Sequence, residues 1–92
     1  MNKYDLCTRV AAAAGLSRDR AKLAVESVLS SVVDALEKGD DVHLHGFGTF
    51  RVVTRAKKRA FDMNNGRAIE IPERKVPHFK PSDQFKEIVS ES

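Results

Sequence analysis

Apolar residues recur every three or four positions through the first forty residues, which predicts two helices. The first begins after Asn2, a favoured capping residue, and ends at Gly15. The second is capped by Ser17 and runs to about Lys38. The predicted stripe of the first helix consists of Leu6, Val10, Ala13 and Ala14. The apolar face of the second consists of Ala21, Ala24, Val25, Val28, Leu29, Val32, Val33 and Leu36.

The apolar face of the second helix is larger than the first helix can cover. A helix of nearly twenty residues is ~30 Å long. The chain has only 92 residues and a single cysteine, Cys7, so no disulfide within it can add stability. Small domains without disulfides or metals commonly gain stability by oligomerisation. We therefore expect a second copy of the chain to cover this face. A lone cysteine, with no signal peptide predicted, also suits a reducing cytoplasm.

Beyond Gly39 the period changes to two, which predicts strands and an arm at about residues 41–80. Residues 42–45 alternate, residues 46–48 form a glycine-rich turn, and residues 49–54 form a second strand. Asn65-Gly66 lies between two β-favouring runs and predicts a hairpin. Residues 76–79 return to the sheet, and a last helix is expected at about 82–89. The predicted class is α+β, with residues 1–92 forming one domain on a helical base at about 2–38.

Positive charge is concentrated in the sheet and the hairpin. The segment from Arg51 to Lys80 holds nine basic and three acidic residues, a net charge of +6, whereas the whole chain carries +3. Such asymmetry indicates the kind of partner rather than the fold. Few apolar residues lie between Arg55 and Arg59, so this part of the hairpin is expected to project into solvent as an arm and to grip an anion.

The run Gly46-Phe47-Gly48-Thr49-Phe50, followed by Arg55-Ala56 and a tip glycine at Gly66, resembles the bacterial histone-like HU/IHF family. The resemblance covers nearly the whole chain and includes the order of helices, sheet, arm and last helix. It implies an IHF-like intertwined homodimer with a helical base, an antiparallel β saddle and two extended β-ribbon arms. These arms embrace double-stranded DNA in the minor groove. The resemblance also implies a dimer core formed by Phe47, Phe50 and Phe79.

The tip of the arm departs from the family pattern, which usually reads Gly-Arg-Asn-Pro-x-Thr-Gly. Met63 stands where the family has its wedging proline. Asp62 replaces the preceding asparagine, and Phe61 replaces the arginine. A flexible methionine and an acid near phosphates predict weaker or more transient kinking of DNA. Both Met63 and Phe61 are candidate wedges.

Basic residues and two apolar tip residues form the predicted DNA-binding set. In strict alternation, five residues of the outgoing strand share one ribbon face: Arg55, Lys57, Arg59, Phe61 and Met63. A bulge in the arm would reverse this order beyond it. The complete predicted set is Lys3, Arg55, Lys57, Lys58, Arg59, Phe61, Met63, Arg67, Lys75, Lys80 and Lys86.

The predicted function is architectural: a homodimer that compacts or bends duplex DNA with little sequence preference, in the cytoplasm and on the nucleoid. Three alternatives stay open. The protein coats DNA without kinking it, it prefers particular sites, or its arm grips an acidic protein partner. A heterodimer with a related chain is also open.

Several other classes of function lack a signal in the sequence. The sequence shows no nucleophile paired with a base, the arrangement that would indicate an enzyme. It also shows no glycine-rich phosphate loop before a helix. No cofactor, small-molecule substrate or membrane partner is expected. The candidate metal ligands are His43, His45 and His78, and the spacing of the first two is predicted to place them on one strand face. No cysteine or acid completes a metal-ligand spacing.

Overall fold

The structure is a computed structural model of one chain, and it describes residues 1–91. The chain divides into two compact units, one ending at Lys38 and the other beginning at Gly39. The first unit contains helices α1 (Lys3–Ala14) and α2 (Arg18–Glu37). The second contains strands β1 (Val42–Leu44), β2 (Gly48–Arg55), β3 (Lys58–Asp62), β4 (Arg67–Ile71) and β5 (Arg74–Pro81), and helix α3 (Asp83–Ser90).

Local capping explains where the helices of the first unit begin and end. The Asn2 side chain accepts a hydrogen bond from the Asp5 N–H (2.9 Å), and the Asp5 carboxylate accepts one from the Asn2 N–H (3.2 Å). This reciprocal capping box satisfies two donors at the start of α1. Gly15 ends α1 in the left-handed region, at φ 68°. The Ser17 hydroxyl accepts from the Arg20 N–H and starts α2. The predicted boundaries of both helices are confirmed to within a residue or two.

Helices α1 and α2 pack together through small side chains. The buried hydrophobic residues among those described are Cys7, Ala21 and Val25. The predicted stripe, with Cys7 beside it, is confirmed only in part: Val10 is half-buried and Cys7 is buried, whereas Leu6 is exposed in the single chain. Ala11, four residues after Cys7, is half-buried, so the packed face of α1 is rotated by one residue from the prediction. A small residue at the contact lets two helices approach closely.

Much of the apolar face of α2 is open to solvent in the single chain. Val28, Leu29 and Val33 are all exposed, with Val28 at 61%. They continue the i, i+3, i+4 pattern that starts at the buried Val25. As predicted, the first helix does not cover this face.

The second unit contains two antiparallel sheets. One has three strands in the order β1-β2-β5, and the other is the ribbon of β3 and β4. In the larger sheet Phe50 lies between Val42 on β1 and Phe79 on β5. At its far end Arg55 pairs with Arg74. Residues Arg74–Pro81 return to the sheet, which confirms the predicted return and lengthens it.

The strand pairing is interrupted between the larger sheet and the ribbon. Arg55 pairs with Arg74 and Lys58 pairs with Ile71, so two residues on each side lie outside both ladders. One of them is Pro72, which has no N–H to donate and therefore favours an interruption of the pairing. The predicted strict alternation is therefore broken at residues 56–57, and it ends at Asp62, before Met63.

The predicted hairpin is confirmed, with a four-residue loop. Asp62 pairs with Arg67, and residues 63–66 connect them. The Gly66 N–H donates to the Asp62 carbonyl at 2.8 Å, and Gly66 has a φ of 65°. A two-residue type I′ turn would also need a positive φ at Asn65, which that residue does not have.

An aromatic cluster joins the sheet to α3. Ring centroids are separated by 4.7 Å for Phe50 and Phe79, 5.3 Å for Phe47 and Phe79, and 5.0 Å for Phe47 and Phe85. Ser82 places α3 for this packing, because its hydroxyl accepts from the Phe85 N–H and its own N–H donates to the Phe47 carbonyl. Phe47 is still 45% exposed in the single chain.

The Phe79 ring packs directly against Gly48. A Cβ at this position would lie 2.5 Å from the Lys80 carbonyl oxygen and 2.6 Å from the Phe79 ring. The absence of a side chain at Gly48 thus permits β5 to approach β2 closely.

We expect Gly48→Ala to lower the free energy of unfolding by about 1–3 kcal/mol, because the β2–β5 ladder would have to shift. Urea denaturation at a fixed protein concentration measures the change. Thr54→Ala, at an exposed position of the same strand, is the control and should stay within about 0.5 kcal/mol. Equal stability of the two variants would contradict the close packing.

Candidate nucleic-acid interface

The register of β2 and β5 separates the larger sheet into an apolar and a basic face. Phe50 and Phe79 are paired and lie on the same face. Residues one position away from them therefore point to the opposite face, which we call the basic sheet face. Its cations are Arg51, Arg55, Arg74 and Lys80, all exposed.

No carboxylate belongs to the three strands of this sheet. The two salt bridges among the described residues join Lys3 to Glu26 and Lys57 to Glu70, so the four cations of the basic sheet face are in neither. Arg55 and Arg74 are direct cross-strand partners. Like charges in that arrangement oppose strand pairing by roughly 0.2–1 kcal/mol. A bound polyanion would convert this repulsion into attraction.

Two depressions in the surface are lined by these cations. One, of about 430 Å³, lies at the interruption before the ribbon, where Arg55, Lys57, Lys58 and Arg74 surround it. The other, of about 280 Å³, is lined by Arg51 and Lys80 among other residues. Both offer several donors to an anionic group, and the carboxylate of Asp83 also lines the second.

The ribbon carries its charges on both faces. Lys58, Ala60 and Asp62 share one face by alternation, while Arg59 and Phe61 share the other. The expected common face of Arg59 and Phe61 is thus present. Lys57 reaches this face although it precedes β3, because its Nζ lies 3.2 Å from the carboxylate of Glu70, the cross-strand partner of Arg59. Arg55 belongs to the larger sheet, on the other side of the interruption. Met63 lies in the loop rather than on a strand face.

The tip exposes two apolar side chains. Phe61 is 65% exposed and Met63 is 86% exposed. Between them, the Asp62 carboxylate accepts hydrogen bonds from the Asn65 side-chain amide (2.6 Å), the Asn64 N–H (3.0 Å) and the Asn65 N–H (3.4 Å). The Asn65 side chain first, and then the backbone amides, hold the pKa of Asp62 below its ordinary value. The loop is therefore organised around an ionised carboxylate.

The other predicted DNA-binding residues are spread over several elements. Lys3 forms an ion pair with Glu26 at 3.5 Å. Arg67 is the cross-strand neighbour of Asp62 at the end of the ribbon ladder, and Lys86 lies on α3. Lys75 pairs with Thr54, so alternation places it on the face of the sheet opposite the basic sheet face.

Three residues with a place in the site were missing from the predicted set. Arg51 and Arg74 lie on the basic sheet face, and Phe85 joins the aromatic cluster. The position of Arg51 directly after Phe50 would have been sufficient to place Arg51 on the face opposite the aromatic rings. Phe85 had no such signal, because only the packing of α3 against the turn at Phe47 brings the two rings together.

The histidines do not form the predicted pair. His43 lies on β1 with its Nδ1 atom 2.7 Å from the Thr49 hydroxyl, whereas His45 lies in the following turn. The prediction that both share one strand face is wrong, because β1 ends at Leu44. Residues 1–91 contain no group of three side chains arranged to hold a metal ion. They also contain no helix long and apolar enough to cross a membrane.

A helical pair, a three-stranded sheet with a basic face and a two-stranded basic ribbon define a class of small DNA-binding proteins. The chain belongs to the bacterial DNA-binding protein family, whose model matches residues 1–90. The predicted HU/IHF family is thereby confirmed.

Similar proteins cover nearly the whole chain. DNA-binding protein HU of Geobacillus stearothermophilus is 45% identical over 89 residues, 97% of this chain and 99% of the relative. HU 1 of Bacillus subtilis is 43% identical over 90 residues, 98% of each chain. An Anabaena HU from a cocrystal with DNA matches with a TM-score of 0.94 at 30% identity, covering both chains completely. Thermotoga maritima HU matches with a TM-score of 0.69 at 34% identity, over 97% of this chain and 98% of that one.

We expect the tip loop to lose order in acid. A lowered pKa means that the stabilisation of the loop by the Asp62 carboxylate is fully present above the ordinary pKa of 3.8 and is lost as the pH falls through the lower folded value. NMR should show the amide signals of Asn64 and Asn65 moving together with the titration of Asp62, at a midpoint below 3.8. Asp62→Asn should abolish this movement. A midpoint at or above 3.8 would contradict the hydrogen-bonded carboxylate.

Proposed function

We propose that this protein is a homodimeric architectural protein that binds duplex DNA and bends or compacts it with little sequence preference. The observation that carries the proposal is the basic sheet face, which holds four exposed cations on strands without a single carboxylate. The adjoining ribbon extends the positive charge through Lys57, Lys58 and Arg59. The HU relatives are DNA-binding proteins, and one of them has been crystallised with DNA.

Phosphate contacts supply the affinity in this proposal. Arg and Lys side chains on a sheet and ribbon bind the sugar–phosphate backbone without reading base edges. Such binding explains why sequence preference is weak and why the ease of bending a given sequence matters. The ribbon arms enter the minor groove, as in architectural proteins of this family. The protein acts in the cytoplasm, on the nucleoid, and needs no cofactor, catalytic group or small-molecule substrate.

Most of the residues proposed to bind DNA lie on the basic sheet face or on the ribbon, whereas Lys3, Lys75 and Lys86 lie on α1, on the opposite face of the sheet and on α3. The sheet contributes Arg51, Arg55, Arg74 and Lys80. The remaining ones are Lys3, Lys57, Lys58, Arg59, Phe61, Met63, Arg67, Lys75 and Lys86. The Lys57–Glu70 ion pair, at 3.2 Å, is exposed on both sides and is therefore weak enough to be exchanged for a phosphate.

The dimer follows from apolar surface that the single chain leaves exposed. Val28, Leu29 and Val33 form an open stripe on α2, and Phe47 is half-exposed within an aromatic cluster. The buried hydrophobic residues of the described chain are three small or medium side chains, all in the helical unit. A core of that size is insufficient for a folded monomer. A second copy that covers these surfaces makes residues 1–92 one functional domain, with Phe47, Phe50 and Phe79 in its core.

We expect Phe47→Ala to abolish most of the folded dimer, since truncating a buried phenylalanine costs about 3–5 kcal/mol. Circular dichroism and analytical ultracentrifugation at micromolar concentration measure folding and mass together. Phe61→Ala removes an equally large but exposed ring and should leave both unchanged. A wild-type chain that sediments as a folded monomer would exclude the dimer.

We also expect replacement of Lys57, Lys58 and Arg59 by alanine to weaken binding to all duplex sequences alike. The slope of log K against log salt should fall by ~0.9 for each phosphate that the ribbon no longer neutralises. The charge-conserving variant Lys57→Arg, Lys58→Arg, Arg59→Lys is the control and should keep the wild-type slope. A slope that is unchanged in the alanine variant would show that the ribbon does not grip the backbone.

One alternative is favoured by a specific observation. Asp62 and Met63 stand at the tip in place of an amide and a rigid ring, which suits a protein that coats DNA without a sharp kink. The bend angle at saturating protein, measured by fluorescence energy transfer, separates coating from bending. Absence of salt-dependent binding to random duplex DNA would favour an acidic protein partner instead.

A further inference from the structure

We propose that Asp62 is a positioning residue that fixes the tip loop so that Met63, rather than Phe61, is the side chain presented to a base step. This role rests on the proposed binding of duplex DNA. It explains the presence of an acidic residue whose charge alone would oppose binding to DNA. The chain uses a carboxylate to organise the loop at the tip of the arm, beyond the last pair of the ribbon.

Asp62 accepts hydrogen bonds from three of the four loop residues. Its carboxylate accepts from the Asn64 N–H, the Asn65 N–H and the Asn65 side-chain amide. Its carbonyl accepts from the Gly66 N–H at 2.8 Å. Asp62 is also held on β3 by its pairing with Arg67. All these hydrogen bonds connect the loop to Asp62, and Met63 is the residue that directly follows it.

The two apolar candidates differ in how they are placed. Phe61 lies within β3, paired with Ala68, so its ring direction follows the face of the ribbon. Met63 lies beyond the last pair of the ribbon and is 86% exposed, against 65% for Phe61. A side chain at the end of the ribbon meets a base step before one on its face. Methionine is among the apolar residues that part base steps in minor-groove proteins.

Methionine does not restrict its own backbone dihedral angles, so the direction of the Met63 side chain depends on the neighbouring loop residues. A loop that samples many conformations loses that freedom when it inserts, which lowers the population of the inserted state. The bonds to Asp62 restrict the loop before DNA arrives and reduce this loss. The N–H groups around the carboxylate also offset part of its negative charge.

The test compares four single variants and one double variant by two measurements on a short duplex carrying 2-aminopurine at a TA step, which is readily unstacked. Fluorescence of 2-aminopurine reports unstacking, and anisotropy of a labelled duplex reports binding. Met63→Ala should abolish the unstacking signal at saturating protein, whereas Phe61→Ala should preserve most of it. Asp62→Ala should lower the inserted population by roughly 5- to 30-fold, the effect of freeing the backbone of about one residue.

Asp62→Asn separates the hydrogen bonds from the charge. Its side-chain oxygen still accepts from the Asn64 N–H, so it should restore most of the unstacking that Asp62→Ala removes. In a Met63→Ala background, Asp62→Ala should have no further effect on unstacking. Urea denaturation should show equal stability for all variants, because the tip lies outside the folded core.

Three results would overturn this role of Asp62 while leaving DNA binding intact. The first is a full unstacking signal in Asp62→Ala. The second is loss of the signal in Phe61→Ala but not in Met63→Ala. The third is a wild-type protein that binds the duplex without any unstacking. Failure of the proposed function is a separate result, since it appears as no change in anisotropy for the wild-type protein.

Discussion

The packing of Phe79 against Gly48 determines which residues of the sheet face which way. The ring and the Lys80 carbonyl occupy the space where any larger residue would carry its Cβ, so only glycine permits this register of β2 and β5. A slip of one residue would turn every side chain of a strand to the other face. Arg74 and Lys80 would then leave the basic sheet face, and the aromatic cluster would lose Phe79. The interface for a polyanion therefore depends on apolar packing on the opposite side of the sheet.

The sequence predicts best the features that depend on neighbours along the chain. The capping box at Asn2 and the left-handed glycine at Gly15 follow from residues two to four positions apart. The hairpin follows in the same way from Asn65-Gly66, and the basic run from local composition. In each case the physical cause lies within one or two turns of chain, so a pattern is sufficient to identify it.

Features that depend on residues far apart were missed. The interruption before the ribbon requires residues 56–57 and 72–73 to meet, and the period-two pattern of one strand does not contain that information. The choice of Cys7 over Leu6 as the buried residue depends on which side of α1 meets α2. One local feature was missed as well. Asp62 was expected to act only through its charge, although its carboxylate bonds to Asn64 and Asn65, two and three residues away.

The structure tolerates several local conflicts at the surfaces proposed for function. Arg55 faces Arg74, a stripe of α2 remains exposed, and two apolar side chains stand at the tip of a charged ribbon. Each conflict would be relieved by a different partner: a polyanion, a second chain and a base step respectively. These three interactions also differ in range. The charges act over about a Debye length, ~10 Å at 0.1 M salt, whereas an apolar wedge acts only at van der Waals distance. In the proposed mode of binding, the charged surfaces consequently govern encounter and orientation on DNA, and the tip acts only after they have placed the ribbon.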